Sequence, residues 1–70
     1  MSSVYKVIEL VGTSSVSWEE AAKVAIETAA KTLEDLRIAE AKEFDMQIEN
    51  GKILNYRVKL SVSFKYHEEM

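Results

Sequence analysis

From Leu54 to Tyr66 every even position is apolar or aromatic (Leu54, Tyr56, Val58, Leu60, Val62, Phe64, Tyr66), and every odd position from Asn55 to Lys65 is polar. A period of two predicts a strand with one face to bury and one free for polar contacts. Upstream, Val4–Val11 is rich in β-branched and aromatic residues and predicts a first strand. Both of its faces carry apolar residues, so both are expected to be buried. Gly12-Thr13-Ser14-Ser15 predicts a turn that ends it. Ser17-Trp18-Glu19-Glu20 has the form of a capping box, with two acids at the positive end of the helix dipole. It predicts a helix from Trp18 to about Leu36, with an apolar stripe of Trp18, Ala22, Ala25, Ile26, Ala29, Leu33 and Leu36. Alanines keep that helix surface thin, which suits close packing on a sheet.

Ile38–Glu49 predicts the second strand, with Phe44, Met46 and Ile48 on one face and Glu43, Asp45, Gln47 and Glu49 on the other. Asn50-Gly51 marks a hairpin. Directly opposed residues of an antiparallel pair share a face. A two-residue loop would set Phe44 against Arg57 and mix the faces. A three-residue loop, Asn50-Gly51-Lys52, sets Phe44 against Val58, Met46 against Tyr56 and Ile48 against Leu54. It also sets Asp45 against Arg57 and Glu43 against Lys59, acid against base. That register is the expectation, with Gly51 supplying a positive φ. The fold class is then α+β: a single domain over residues 1–70, ordered β-α-β-β. Its three-stranded antiparallel sheet (order 1-3-2) wraps one long helix.

Composition narrows the means of stabilisation. Seventy residues bury little surface. There is no cysteine, so disulfides and thiolate metal sites are out. The single histidine, His67, reads as a solvated residue near the C-terminus. One helix is too little cover for so long an apolar strip, so association with copies of the same chain is expected. Nine basic and twelve acidic residues give a net charge of −3 with no basic cluster, which argues against nucleic acid. No apolar run approaches a membrane span and no signal-peptide pattern opens the chain, so the expected compartment is the cytoplasm. No nucleophile–base pair or acid–base dyad suggests catalysis.

The segments Val4-Tyr5-Lys6-Val7-Ile8-Glu9-Leu10-Val11-Gly12-Thr13-Ser14, Lys31-Thr32-Leu33 and Asn55-Tyr56 through Val62-Ser63-Phe64, with the alanine-rich helix between, resemble those of dodecins. The resemblance covers nearly the whole chain. It implies a subunit of a hollow homododecamer that binds and stores flavin (riboflavin or FMN) without catalysis, the flavins stacked in pairs between tryptophans at subunit contacts. Three ligand positions depart from that pattern. The stacking tryptophan of a Leu-x-Trp-x-Glu run is replaced by Ile38 in Leu36-Arg37-Ile38-Ala39-Glu40. The glutamine that follows the last strand's tyrosine is replaced by Arg57, which has donors only. An arginine that holds the FMN phosphate in some relatives corresponds to Asp45. Weak flavin binding is the expectation.

Arg37-Ile38-Ala39 followed by Glu43-Phe44-Asp45-Met46 is similar to a dodecin branch without the tryptophan that is described as calcium-binding. That similarity makes calcium the alternative ligand. Glu43 and Asp45 are its candidate ligands, and symmetry can add copies of Glu40 or Glu49. Against this stands simple pairing of Glu43 with Lys59 and of Asp45 with Arg57. Trp18 reads as a packing residue, and Thr13-Ser14-Ser15 as a turn and cap rather than an anion loop.

Overall fold

The computed structural model describes residues 2–67. Four elements follow one another: β1 (Tyr5–Ser14), α1 (Trp18–Ala29), β2 (Leu36–Glu49) and β3 (Lys52–Lys65). The strands form one antiparallel sheet in the order β1-β3-β2, as the sequence predicts. The alternation of β3 is realised as core. Val58, Leu60 and Val62 are buried beneath α1, where Ala21 is fully enclosed. Ile8 and Leu10 from β1, Ala22, Ala25 and Ile26 from α1, and Leu36 from β2 pack around them.

Three expectations change. Gly12 does not turn the chain. Gly12, Thr13 and Ser14 pair with Val58, Arg57 and Tyr56, so β1 runs on to Ser14. A Cβ on Gly12 would lie 2.1 Å from the carbonyl oxygen of Ala21, so this glycine exists to seat the helix on the sheet. Helix α1 stops seven residues short of Leu36. Its exit is tightened by i→i−3 bonds from Lys31 to Thr28 and from Thr32 to Ala29, and Asp35 then adopts a positive φ of 58°. Leu36 therefore reaches the core as the first residue of β2. Within the single chain β1 is buried on one face only, since Val7 and Val11 on its other face are more than half exposed.

The hairpin also closes differently. Asn50 and Gly51 both have positive φ, 52° and 75°, the signature of a two-residue type I′ turn. Ile48 therefore opposes Ile53 rather than Leu54. An extra residue at Leu54 then restores the expected register, and Gln47 through Glu43 oppose Asn55 through Lys59 as predicted. Further irregularities set Arg37 and Lys42 outside the pairing of β2. Bulges deepen strand twist, which lets the sheet curl around α1.

The protein is elongated, 54 × 21 × 15 Å. Its radius of gyration of 14.5 Å exceeds the roughly 11 Å usual for a chain of this length. The excess length is the end of the β2–β3 hairpin, which projects past the helix and exposes Met46, Ile48, Ile53 and Leu54.

Candidate functional site

Every residue singled out from the sequence as a ligand or metal position lies on the sheet face away from α1. Pairing places Thr13, Arg57 and Asp45 in one cross-strand row, Val11, Lys59 and Glu43 in the next, then Glu9, Ser61 and Glu40, then Val7, Ser63 and Ile38. The bases sit on the central strand and the acids on its flanks. The bulge at Lys42 is what brings Ile38 to this face, because it reverses the parity of β2 between Ala41 and Glu43. Glu40 and Glu43, three apart, end on one side. That spacing of two acids within a strand is the sequence signal that would have located the bulge.

Asp45 and Arg57 meet in a bidentate ion pair. Arg57 Nε donates to Asp45 Oδ1 at 2.7 Å and Nη2 donates to Oδ2 at 3.1 Å. These hydrogen bonds hold the Asp45 carboxyl below the usual carboxylate range, against a smaller opposing effect of desolvation. The same pair raises Arg57. The main-chain carbonyl of Asp45 also accepts a hydrogen bond from Trp18 Nε1 at 3.0 Å. Trp18 packs edge-on against Phe44 and Tyr56, with ring centroids 6.0 and 5.2 Å away, as a packing residue would. Glu43 has a looser partner. Lys59 Nζ lies 3.6 Å from it and 3.9 Å from Glu9, shared between the two.

Ile38 stands apart. Seven residues of strand separate it from Asp45, roughly 20 Å along the sheet. Its side chain is 68% exposed. Ile38 also borders a depression of about 130 Å³ with Ile26, Leu36 and Val62. Small-molecule pockets usually hold about 300–1,000 Å³, so the depression beside Ile38 does not enclose a flavin ring. Among the described residues no three His, Cys, Asp or Glu side chains are placed to hold a metal ion. Calcium takes six to eight oxygens, so a flavin at Ile38 or a calcium ion on this face would need further atoms beyond those the described residues bring together there.

Two features of the chain were not anticipated. His67 is exposed but not merely solvated, since its Nε2 hydrogen-bonds the Asp35 carboxylate. That contact is the main cause lowering Asp35 below its ordinary range, with smaller attraction from His67, Arg37 and Lys65. An open groove of about 420 Å³ also runs between β1 and α1, lined by Leu10, Gly12, Val24, Ala25, Thr28 and Leu33 among others. Ser14 Oγ accepts from the Val16 amide at 2.9 Å and Ser17 Oγ from the Glu20 amide at 3.0 Å. The Ser17 contact is the expected cap, whereas the Ser14 contact closes a turn that begins only where β1 ends.

The dodecin family profile matches residues 4–67. The calcium dodecin of Mycobacterium tuberculosis is 48% identical over 63 residues, 90% of this chain and 89% of that protein. Its crystal structure, described as that of a calcium-chelating antigen with a calcium-binding site, superposes with a TM-score of 0.84 over 97% of each chain. The dodecin of Thermus thermophilus is 41% identical over 68 residues, 97% of this chain and 99% of that one. The dodecin of Streptomyces coelicolor superposes with a TM-score of 0.92 at 33% identity, over 96% of each chain. In chain length and in fold the protein is similar to all three.

Proposed function

The chain belongs to the dodecin family, and on that premise we propose that it is a homododecameric small-ligand-binding and storage protein, not an enzyme, that holds flavin only weakly. The observation that carries this reading is Ile38. It lies at the position where the resemblance expects a stacking tryptophan, it is exposed, and it presents an aliphatic side chain to whatever binds there. Stacked aromatic pairs contribute about 0.5–1.5 kcal/mol each beyond buried area. Losing both stackers around a flavin lowers affinity roughly fivefold to 150-fold. The shell supplies the enclosure that a single chain lacks. Its driving force is the apolar surface left bare on the hairpin end and on β1.

Titration of riboflavin with the assembled protein, followed by quenching of flavin fluorescence, tests this. Ile38→Trp is expected to tighten binding by about tenfold or more. Equal affinity of the two proteins would sink the reading, and so would wild-type affinity matching that of tryptophan-bearing dodecins.

A second reading has its own support. The 48% identical relative is named for calcium, and the carboxylates of Glu40 and Glu43 lie along the edge strand β2, where a neighbouring copy can approach. In this reading calcium sits between subunits and is completed by oxygens from a second chain. Calcium added to chelator-treated protein then raises its thermal midpoint by mass action. An unchanged midpoint at millimolar calcium would remove the reading.

A further inference from the structure

Glu43 and Asp45 are separated by one residue on the same face, yet their cations hold them in different ways. Lys59 is a single ammonium shared by Glu43 and Glu9 at 3.6 and 3.9 Å, beyond hydrogen-bond length. Arg57 meets both oxygens of Asp45 at hydrogen-bond length and serves no other acid among the described residues. Trp18 Nε1 also ties the main-chain carbonyl of Asp45 to the start of α1, which anchors the backbone that carries this carboxylate. One carboxylate of the face is thus loosely attended, and its neighbour sits on an anchored stretch of strand with a cation already in place.

We propose that Arg57 is the specificity-determining residue of this face: its guanidinium serves as a resident cation for Asp45 and keeps divalent ions off that carboxylate. The physical reason is a difference of two binding events. A divalent ion arriving at Asp45 must break two charge-assisted hydrogen bonds. It must then sit beside a guanidinium that cannot shed its proton. Specificity built from such a repulsive neighbour is as effective as specificity built from added ligands. Any ion that the face accepts is directed to Glu43, whose ammonium partner is shared and easily displaced. For the identity of that ion the inference rests on the calcium reading. The exclusion itself does not.

The test is a calorimetric calcium titration of the assembled protein, with Trp18 fluorescence as a second signal because its indole N–H reports on Asp45. Arg57→Thr removes the cation and keeps a residue suited to a strand. Its calcium affinity is expected to exceed wild type by at least about tenfold, the equivalent of one charge-assisted hydrogen bond no longer opposing the ion. Trp18 emission should then respond to calcium in this variant alone, and the double variant Arg57→Thr/Asp45→Asn should return to wild-type affinity. Asp45→Asn in the wild-type background should leave calcium affinity unchanged, which is readable even where Arg57→Thr fails to assemble. Equal affinity of wild type and Arg57→Thr overturns the inference. So does wild-type binding that Asp45→Asn abolishes. Calcium binding by Arg57→Thr with none by wild type supports the exclusion while removing the calcium reading, so the two fail separately.

Discussion

The two halves of β3 both carry apolar residues and meet opposite fates. Under α1, Val58, Leu60 and Val62 are 1%, 3% and 1% exposed. At the other end of the strand Ile53 and Leu54 are 49% and 43% exposed, and Ile48 across the ladder is 64% exposed. The cause is length. A helix of twelve residues spans about 18 Å, while fourteen residues of strand span roughly 46 Å. Alternation specifies which face is apolar, but the length of the covering element decides how much of that face one chain can bury. The uncovered remainder is the surface that the proposed assembly would bury.

The covered half should respond to mutation as a core. Leu60→Ala deletes most of a buried side chain between sheet and helix. Such deletions cost about 2–5 kcal/mol, a large part of what so small a domain has available. Urea unfolding should show this loss at any protein concentration. A loss under about 1 kcal/mol would mean that the helix does not close on the sheet as described.

The projecting half should respond as an interface. Ile48→Lys with Ile53→Lys places two ammonium groups on the bare end of the hairpin, where no contact within the chain is lost beyond the pair itself. The expected outcome is a fall in oligomer mass by light scattering, with a thermal midpoint that becomes more dependent on protein concentration. Wild-type mass in the double variant would break the comparison, because the hairpin end would then be bare in the assembly too.

How much of this was legible beforehand differs along the same lines. Element order, sheet order, the core of β3 and the Asp45–Arg57 and Glu43–Lys59 pairings follow from alternation and from acid opposing base. Their physical cause is local and repeats along the strand. The end of α1 was misjudged because the leucines continue the helical spacing past Ala29, whereas the chain's exit depends on tight turns after Thr28 and on the positive φ of Asp35. The bulges were missed because each inserts one residue without altering composition. That omission mattered most at Ile38, whose face depends on the bulge at Lys42. The site itself is only half contained in one chain. Asp45 and Arg57 meet within the chain, whereas Ile38 is left 68% exposed by it.

The two glycines sharpen the contrast on a smaller scale. Gly12 lies in the covered half, and an added Cβ would strike the Ala21 carbonyl oxygen at 2.1 Å and the Ala25 Cβ at 2.9 Å. Gly12→Ala should cost about 1–3 kcal/mol by forcing α1 off the sheet. Gly51 lies at the hairpin tip, with nothing within 4 Å of such a Cβ but a φ of 75°. Gly51→Ala should cost about 1 kcal/mol, from backbone conformation alone. Chemical denaturation of both variants separates the mechanisms further. Gly12→Ala should loosen amide protection along α1, and Gly51→Ala should loosen it only near the turn.

The smallest effect lies where the two halves join, at Asp45. Its carboxyl is held below the ordinary carboxylate range chiefly by the hydrogen bonds from Arg57. The folded state therefore releases this proton more readily than the unfolded state does. As pH falls through and then below the carboxylate range, the unfolded chain takes up the proton first, and the stability contributed by the pair is lost. That contribution is fully present at neutral pH. Arg57 stays charged throughout, so within the pair only Asp45 titrates in this window. Asp45→Asn should therefore leave the neutral thermal midpoint nearly unchanged, since exposed pairs contribute little, while making the midpoint fall less steeply on acidification than in wild type. Asp35 adds to the wild-type slope in the same direction through its contact with His67, so the difference between the two proteins, rather than either slope alone, isolates Asp45. Identical acid slopes would mean that Arg57 does not hold Asp45 in solution. The hairpin's attachment to the covered half would then rest on the Trp18 hydrogen bond and the aromatic contacts of Phe44 and Tyr56.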